Sequence, residues 1–244
     1  MKFMCIAHRG FSGQYPENTL PAFQAALDGN FGWIELDIRA TADGDIVVIH
    51  DETVDRTTDG SGDVTSLATE KIRALDAGSW KDARFSHACI PFLDEVLTLV
   101  NGRAHIAIEF KLATKHIPAV LAIIGAHDAW EWTTATAFEW ETITAIRELA
   151  PQGKTGWLTS LNNIHAGEAI KRCVSAGISQ LCPIATKTNG GVVARAHHAG
   201  LELRCWGLGD DRGPEMSRLI ECGVDGMTTN HPDVLAQILR ENVS

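Results

Sequence analysis

The sequence predicts an α/β fold, a (β/α)8 TIM barrel with a small insertion after strand 2. Two observations point to it: eight short apolar runs alternate with eight amphipathic stretches, and the 244-residue length lies within that fold's range. The competing architecture is an open, doubly wound sheet. In chain order the strands are expected at 3–7, 33–39, 105–110, 133–138, 155–159, 180–184, 201–208 and 224–229. The second continues through a turn at Asp43-Gly44 into 46–49. Helices are expected between them at 20–28, 93–100, 117–126, 141–149, 164–176, 191–199, 215–221 and 232–240. Thr19 before Leu20-Pro21 reads as an N-cap with proline in the first turn, and Asn230-His231-Pro232 reads as another. Gly177, Gly200 and Gly223 each follow a helical stretch, where a left-handed C-cap residue is needed. Residues 51–88 include Thr57-Thr58-Asp59-Gly60-Ser61-Gly62 and no long periodic run. They are expected to cap the barrel mouth within one domain spanning 1–244, because ~38 residues without a periodic core are too few to be stable alone.

Composition narrows the function. Lys+Arg total 21 against 31 Asp+Glu, a formal charge of −10, which disfavours nucleic acid or an anionic membrane as partner while leaving room for a local cationic pocket. No stretch reaches the ~18 apolar residues of a membrane span. Met1-Lys2 runs directly into the first apolar run without a small-residue cleavage region, so a cytoplasmic location is expected. The 6 cysteines form no CxxC pair, which argues against a zinc or redox motif and for cysteines acting as small hydrophobes.

Chemistry-bearing residues fall at strand ends. Side chains two apart on a strand point the same way, so Glu35 and Asp37 in Ile34-Glu35-Leu36-Asp37-Ile38 share one face. The same parity aligns Glu109 with Lys111 at the end of the third strand. Three acids at one barrel mouth would repel unless a cation sat among them, and oxygen-only donors favour Mg²⁺ or Ca²⁺ over zinc. Structural pairing with arginines is the competing reading. His8 ends the first strand and His50 ends the run 46–49, so both are expected to open beside the acids as proton shuttles. Arg9 and Lys111 add positive charge. Together these groups describe a site for a phosphate ester, whereas Gly190-Gly191 and Gly207-Leu208-Gly209 read as turn chemistry, and no Walker or dinucleotide fingerprint occurs.

His8-Arg9-Gly10, Pro16-Glu17-Asn18-Thr19, Glu35-Leu36-Asp37, His50-Asp51, Asp55-Arg56-Thr57-Thr58, Ile90-Pro91, Glu109-Phe110-Lys111 and Trp206 resemble, in order and spacing, the glycerophosphodiester phosphodiesterases. The resemblance runs nearly end to end and is most specific over 6–60. It implies a metal-dependent barrel hydrolase that converts glycerophosphodiesters to glycerol 3-phosphate and an alcohol. Glu35, Asp37 and Glu109 would be the metal ligands, and His8 and His50 the acid/base pair. Arg9 and Lys111 would contact phosphate, Glu17 and Asn18 would lie near the substrate, and Trp206 would wall the glycerol moiety. The expected mechanism makes the substrate's own glycerol hydroxyl the nucleophile and passes through a cyclic phosphate; direct attack by water is its rival. Two further readings are lysophospholipase D-type cleavage, with Trp80, Phe85 and Phe92 as apolar surface, and a silent phosphodiester-binding module. Two departures from the family pattern are Gly207-Leu208-Gly209 where Thr-Val-Asn is frequent, and Thr229-Asn230 where Thr-Asp is common; Asn230 is expected to cap the last helix as well as aspartate would.

Overall fold

The computed structural model describes residues 3–208 and 212–241. Eight parallel strands close into a barrel: β1 (Met4–Ala7), β2 (Gly32–Ala40), β4 (His105–Phe110), β5 (Thr133–Ala137), β6 (Lys154–Thr159), β7 (Gln180–Pro183), β8 (Glu202–Cys205) and β9 (Gly226–Thr229). Closure is made by β1, which pairs with β2 on one side and β9 on the other. The outer helices are α1 (Leu20–Asp28), α3 (Leu93–Val100), α4 (Ile117–Ala126), α5 (Trp140–Leu149), α6 (Ala166–Ala176), α7 (Gly190–His198), α8 (Arg212–Glu221) and α9 (Pro232–Glu241). This is the predicted (β/α)8 barrel. The open-sheet alternative fails because its outer strands would have no partner, whereas here Cys5 pairs with both Gly32 and Met227.

The side chains between sheet and helices are apolar because both faces of a parallel barrel are covered. Ile34, Leu36, Ile38, Ile106 and Ile108 are all buried and pack in one cluster with Phe23 and Ala26 of α1 and Leu93 and Val96 of α3. The opposite parity faces the barrel axis. There Glu35 registers with Ala107 and Asp37 with Glu109, so the strand register itself brings two acids side by side.

The continuation after β2 forms as predicted. Gly44 turns the chain at φ 90°, and β3 (Ile46–Val48) pairs antiparallel with the end of β2. Residues 51–88 hold more structure than their sequence announces: a five-residue helix α2 (Thr69–Arg73) and a second apolar cluster of Val54, Val64, Leu67, Ile72 and Ala77 with Val47, Ile49 and Ile90. The apolar positions come from turns spaced irregularly, which is why no period reveals them.

Helix ends follow the glycine signals better than the polar ones. Gly177, Gly200 and Gly223 all adopt left-handed φ, at 69°, 79° and 82°. Thr19 stands at the N-cap of α1, but its hydroxyl donates to the Pro16 carbonyl at 2.7 Å and makes no cap bond. Asn230 is likewise diverted from the start of α9, because its Oδ1 accepts hydrogen bonds from His8 and Ser12. The diversions differ: Thr19 turns back to a carbonyl three residues upstream, whereas Asn230 reaches across the closed barrel to residues 8 and 12. Strand ends also shift, since β8 stops at Cys205 and residue 206 bridges only to Ile184.

At the foot of the barrel Trp33 stacks on His105 with ring centroids 3.7 Å apart, and His105 Nε2 meets Thr134 Oγ1 at 2.8 Å. Burial, with Lys154 and Arg204 nearby, lowers the His105 pKa to about 3. The folded protein therefore keeps this imidazole neutral where the unfolded chain protonates it, below ~6.5. Stability must fall as pH drops through the window from ~6.5 to about 3. Thermal melts of the native protein and His105→Gln between pH 7 and pH 4 check this: the native protein should lose more stability on acidification, and parallel curves would remove the assignment.

Candidate active site

The first strand ends in a turn that the sequence His8-Arg9-Gly10 makes possible. Arg9 and Gly10 both take left-handed φ, at 55° and 77°, and a Cβ on Gly10 would lie 2.7 Å from the Ala22 carbonyl carbon. That turn aims the Arg9 backbone N–H at Glu35 Oε2, at 2.9 Å, and lays the Arg9 guanidinium against Asp37 Oδ2, with Nε at 3.4 Å. Asn18, at φ 57°, donates from Nδ2 to the same Asp37 oxygen at 2.9 Å. Lys111 contacts Glu109 and lies 3.6 Å from Asp37 Oδ1.

Glu35, Asp37 and Glu109 each present one oxygen within 4.8 Å of the others. Burial, then the charges of Asp37 and Glu109, push the Glu35 carboxyl well above its ordinary pKa; burial and Asp37 raise Glu109. Asp37 Oδ1 is buried and accepts no hydrogen bond. A crowded, oxygen-only donor set with an orphaned buried lone pair fits a hard divalent cation. The acids are not individually sequestered by arginines, because Arg9 and Lys111 are shared among the three.

Both predicted histidines border the same space. His8 Nδ1 donates to Asn230 Oδ1 at 2.6 Å, which leaves Nε2 facing Glu35 Oε2 at 3.9 Å. Burial and the Arg9 charge, against a smaller opposing pull from Asp37, lower its pKa to about 4. His50 Nδ1 pairs with Asp51 Oδ1 at 2.6 Å, so the carboxylate fixes the proton on Nδ1. Burial lowers the His50 pKa, while Asp37 and Asp51 oppose it.

Arg56, within the insertion, holds two carboxylates at once. Its Nε lies 2.6 Å from Asp51 Oδ2, and Nη1 and Nη2 reach the two oxygens of Glu17 at 2.9 and 2.8 Å. Glu17 in turn accepts from Arg9 Nη1 at 2.6 Å. Burial favours the neutral form of Glu17, but Arg56 and Arg9 outweigh it and hold the carboxyl at about 2. The Arg56 hydrogen bond, against burial, also keeps Asp51 well below the usual carboxylate range. A continuous chain therefore runs from His50 through Asp51, Arg56, Glu17 and Arg9 to Asp37.

These groups face a cavity of about 310 Å³. His8, Arg9, Glu35, His50, Glu109 and Lys111 line one side; Phe138, Leu158, Trp206, Leu208 and Met216 line the other. Trp206 stands edge-on to Phe138 with centroids 4.8 Å apart, and its Nε1 donates to the Cys182 carbonyl at 3.0 Å. The predicted His8, Arg9, Glu35, His50, Glu109, Lys111 and Trp206 thus line one cavity, and Asp37 is buried beside Glu35 and Glu109 just behind it; Glu17 and Asn18 also stand behind the lining, bonded to Arg9, Arg56 and Asp37. Residue reasoning missed Asp51, Arg56, Phe138, Asn230 and Arg204. Asp51 and Arg56 had a signal, since both lie inside motifs read for other residues; the rest become visible only when distant strands meet. Four cysteines, Cys5, Cys173, Cys182 and Cys205, are buried away from this chemistry, and no helix among the described residues is long and apolar enough to cross a membrane.

The sequence model of the Glycerophosphoryl diester phosphodiesterase family matches residues 8–234. A glycerophosphodiester phosphodiesterase of Caldanaerobacter subterraneus subsp. tengcongensis is 33% identical over 99% of each chain. Among solved structures, a glycerophosphodiester phosphodiesterase from Agrobacterium tumefaciens superposes with a TM-score of 0.86 at 32% identity, covering 97% of this chain and 100% of that one. A phosphodiesterase of Oleispira antarctica, solved in complex with the product sn-glycerol-3-phosphate, superposes with a TM-score of 0.86 at 25% identity, covering 96% and 95% of the two chains. By sequence and by architecture, the chain belongs to the glycerophosphoryl diester phosphodiesterase family.

Proposed function

We propose that the protein hydrolyses glycerophosphodiesters to glycerol 3-phosphate and an alcohol, as a metal-dependent enzyme with a histidine acid/base pair. The observation that carries this reading is a cluster of three carboxylates, two of which line one cavity together with both histidines. Family membership and the product named for the Oleispira relative support the same substrate class. Glu35, Asp37 and Glu109 hold one divalent cation, Mg²⁺ or Ca²⁺, which when bound polarises the phosphate and acidifies a substrate hydroxyl.

The side chains move the protons. His8 has a neutral amide on Nδ1, and its lowered pKa leaves the imidazole neutral, so Nε2 is free to take the proton from the glycerol hydroxyl as that oxygen bonds to phosphorus. His50 has a carboxylate on Nδ1, which favours its imidazolium; it protonates the alcohol oxygen as the P–O bond breaks. A water then opens the cyclic glycerol phosphate with the two roles exchanged. Arg9 and Lys111 face the phosphate oxygens, Trp206 walls the glycerol moiety, and Glu17 and Asn18 brace Arg9 and Asp37. Residues 51–88 belong to the same single unit, because Arg56 completes the bracing from that segment. Their apolar surface gives the lysophospholipid reading little support: Phe85 and Phe92 are half-buried under Arg84 and Arg73, and only Trp80 of the three is exposed.

Chelated protein assayed on glycerophosphocholine, glycerophosphoethanolamine, glycerophosphoinositol and a lysophospholipid, with Mg²⁺ or Ca²⁺ restored separately, should act on the first three only after metal returns. Activity unaffected by chelation would end the metal reading, and Asp37→Asn should abolish ion binding in a calorimetric titration. His8→Ala and His50→Ala should each lose ~10²–10⁴ in kcat while keeping the ion. Their effects should combine far less than multiplicatively. A nitrophenyl ester of glycerol phosphate, whose leaving group hardly needs a proton, should restore His50→Ala and not His8→Ala; near-normal turnover of both variants on glycerophosphocholine would make the histidines structural. Arg56→Met and Arg56→Lys should each lower kcat by about tenfold or more, since lysine cannot grip two carboxylates as a fork. Unchanged kcat in both would detach residues 51–88 from the site.

A further inference from the structure

One charged side chain on the cavity has no part in the chemistry above. Arg204, on β8, is 1% exposed and is the largest side chain buried to that degree. By strand parity it points to the barrel axis, as its β7–β8 neighbours Gln180 and Glu202 do. Two bonds fix its plane: Nε donates to Gln180 Oε1 at 3.2 Å, and Nη1 donates to Thr228 Oγ1 at 3.1 Å. The remaining nitrogen, Nη2, is buried and has no acceptor. Among the described residues no carboxylate forms an ion pair with it; Glu202 is spent on Gln180 Nε2, at 2.7 Å.

A permanently charged group buried without a carboxylate and with one donor unused is costly, and such donors are ordinarily satisfied by whatever occupies the adjoining space. That space is the active-site cavity, which Arg204 lines together with Thr136 and Thr228 on its floor. Above the floor the wall opposite the carboxylates is apolar, built from Phe138, Trp206, Leu208 and Met216. A moiety lying on that wall meets donors beneath it, a combination that suits a hydroxylated carbon chain. A quaternary ammonium offers no acceptor and repels the guanidinium. An acyl chain would seal the charge under hydrocarbon.

We propose that Arg204, with Thr228, is a specificity-determining residue: the floor of a hydroxyl-reading subsite that accepts the oxygens of the polyol moiety of the bound diester. This rests on the hydrolytic reading above and deepens it. Binding is measured by calorimetry on Mg²⁺-loaded protein with glycerol 3-phosphate, n-propyl phosphate and inorganic phosphate, using native protein, Arg204→Met and Arg204→Lys. Native protein should prefer glycerol 3-phosphate to propyl phosphate by about tenfold or more, the scale of a hydrogen bond to a charged group. Arg204→Met should lose most of that preference while binding inorganic phosphate as before. A folded Arg204→Met that keeps the native preference overturns the proposal, and so does one that weakens all three ligands alike, which would make Arg204 a source of general positive potential. If Arg204→Met does not fold, Arg204→Lys decides, because an ammonium lacks the fixed plane that holds Gln180 and Thr228 and leaves a third donor over; an unchanged preference in it is equally fatal. Native protein that neither cleaves glycerophosphodiesters nor binds glycerol 3-phosphate better than phosphate sinks the hydrolytic reading itself, a distinct result.

Discussion

Three carboxylates held together inside a barrel mouth repel, and the rest of the site is arranged around that repulsion. The strand register of β2 and β4 forces Asp37 beside Glu109, and the parity of β2 adds Glu35. Positive charge must then come from nearby at close range. Arg9 supplies it through its guanidinium beside Asp37, while its backbone N–H donates to Glu35, and a left-handed turn at residues 9 and 10 presents both. Glycine at residue 10 is the steric condition for that turn, since a side chain there would strike the Ala22 backbone at the end of the first α1 turn. The His8-Arg9-Gly10 motif is thus as much a backbone requirement as a chemical one.

The same compensation ties the insertion to the barrel. Arg9 engages Glu17, Glu17 engages Arg56, and Arg56 engages Asp51, which orients His50. From Arg9 to Asp51 the members alternate in sign, and Arg9, Glu17 and Arg56 each hold two oppositely charged partners, so the chain is braced from both sides. Arginine suits the junction because its fork can hold two carboxylates without bending either away. Arg39 ties the arrangement together, donating to the backbone carbonyls of His50 and Lys111 at 3.0 and 3.1 Å. Precision at His50 is therefore a property of residues drawn from four separate stretches of chain.

Much of this was legible in the sequence, for reasons specific to strands. Period-two parity places Glu35 and Asp37 on one face without knowledge of the fold, and the apolar runs 3–7 and 105–110 mark where β1 and β4 lie. His8 and His50 are legible because they end such runs. What parity cannot supply is the partner across the barrel: Asn230 reads locally as a helix cap, and only closure of β9 on β1 turns its Oδ1 toward His8. Arg204 is hidden for the same reason, since Leu201-Glu202-Leu203-Arg204-Cys205 reads as a strand whose charged residues could equally face solvent. The apolar cluster beneath residues 51–88 has no period because turns, not a helix or strand, set its spacing.

A protein with a formal charge of −10 that takes an anionic diester must reverse its field locally. The cavity's near wall carries Glu35 and Glu109, with Asp37 buried just behind them, against Arg9 and Lys111, an excess of negative charge when nothing else is bound. A divalent ion held by the acids, as proposed, would convert that excess to a net positive charge beside the phosphate. Phosphate affinity and ion affinity are then linked, each raising the other by the same factor. Burial first, and neighbouring carboxylates second, raise the pKa values of Glu35 and Glu109, so both ionise less readily than an exposed carboxylate. Arg9 and Lys111, set among the acids, offset part of their negative charge, so an ion held there would not leave the site too negative for an anionic substrate.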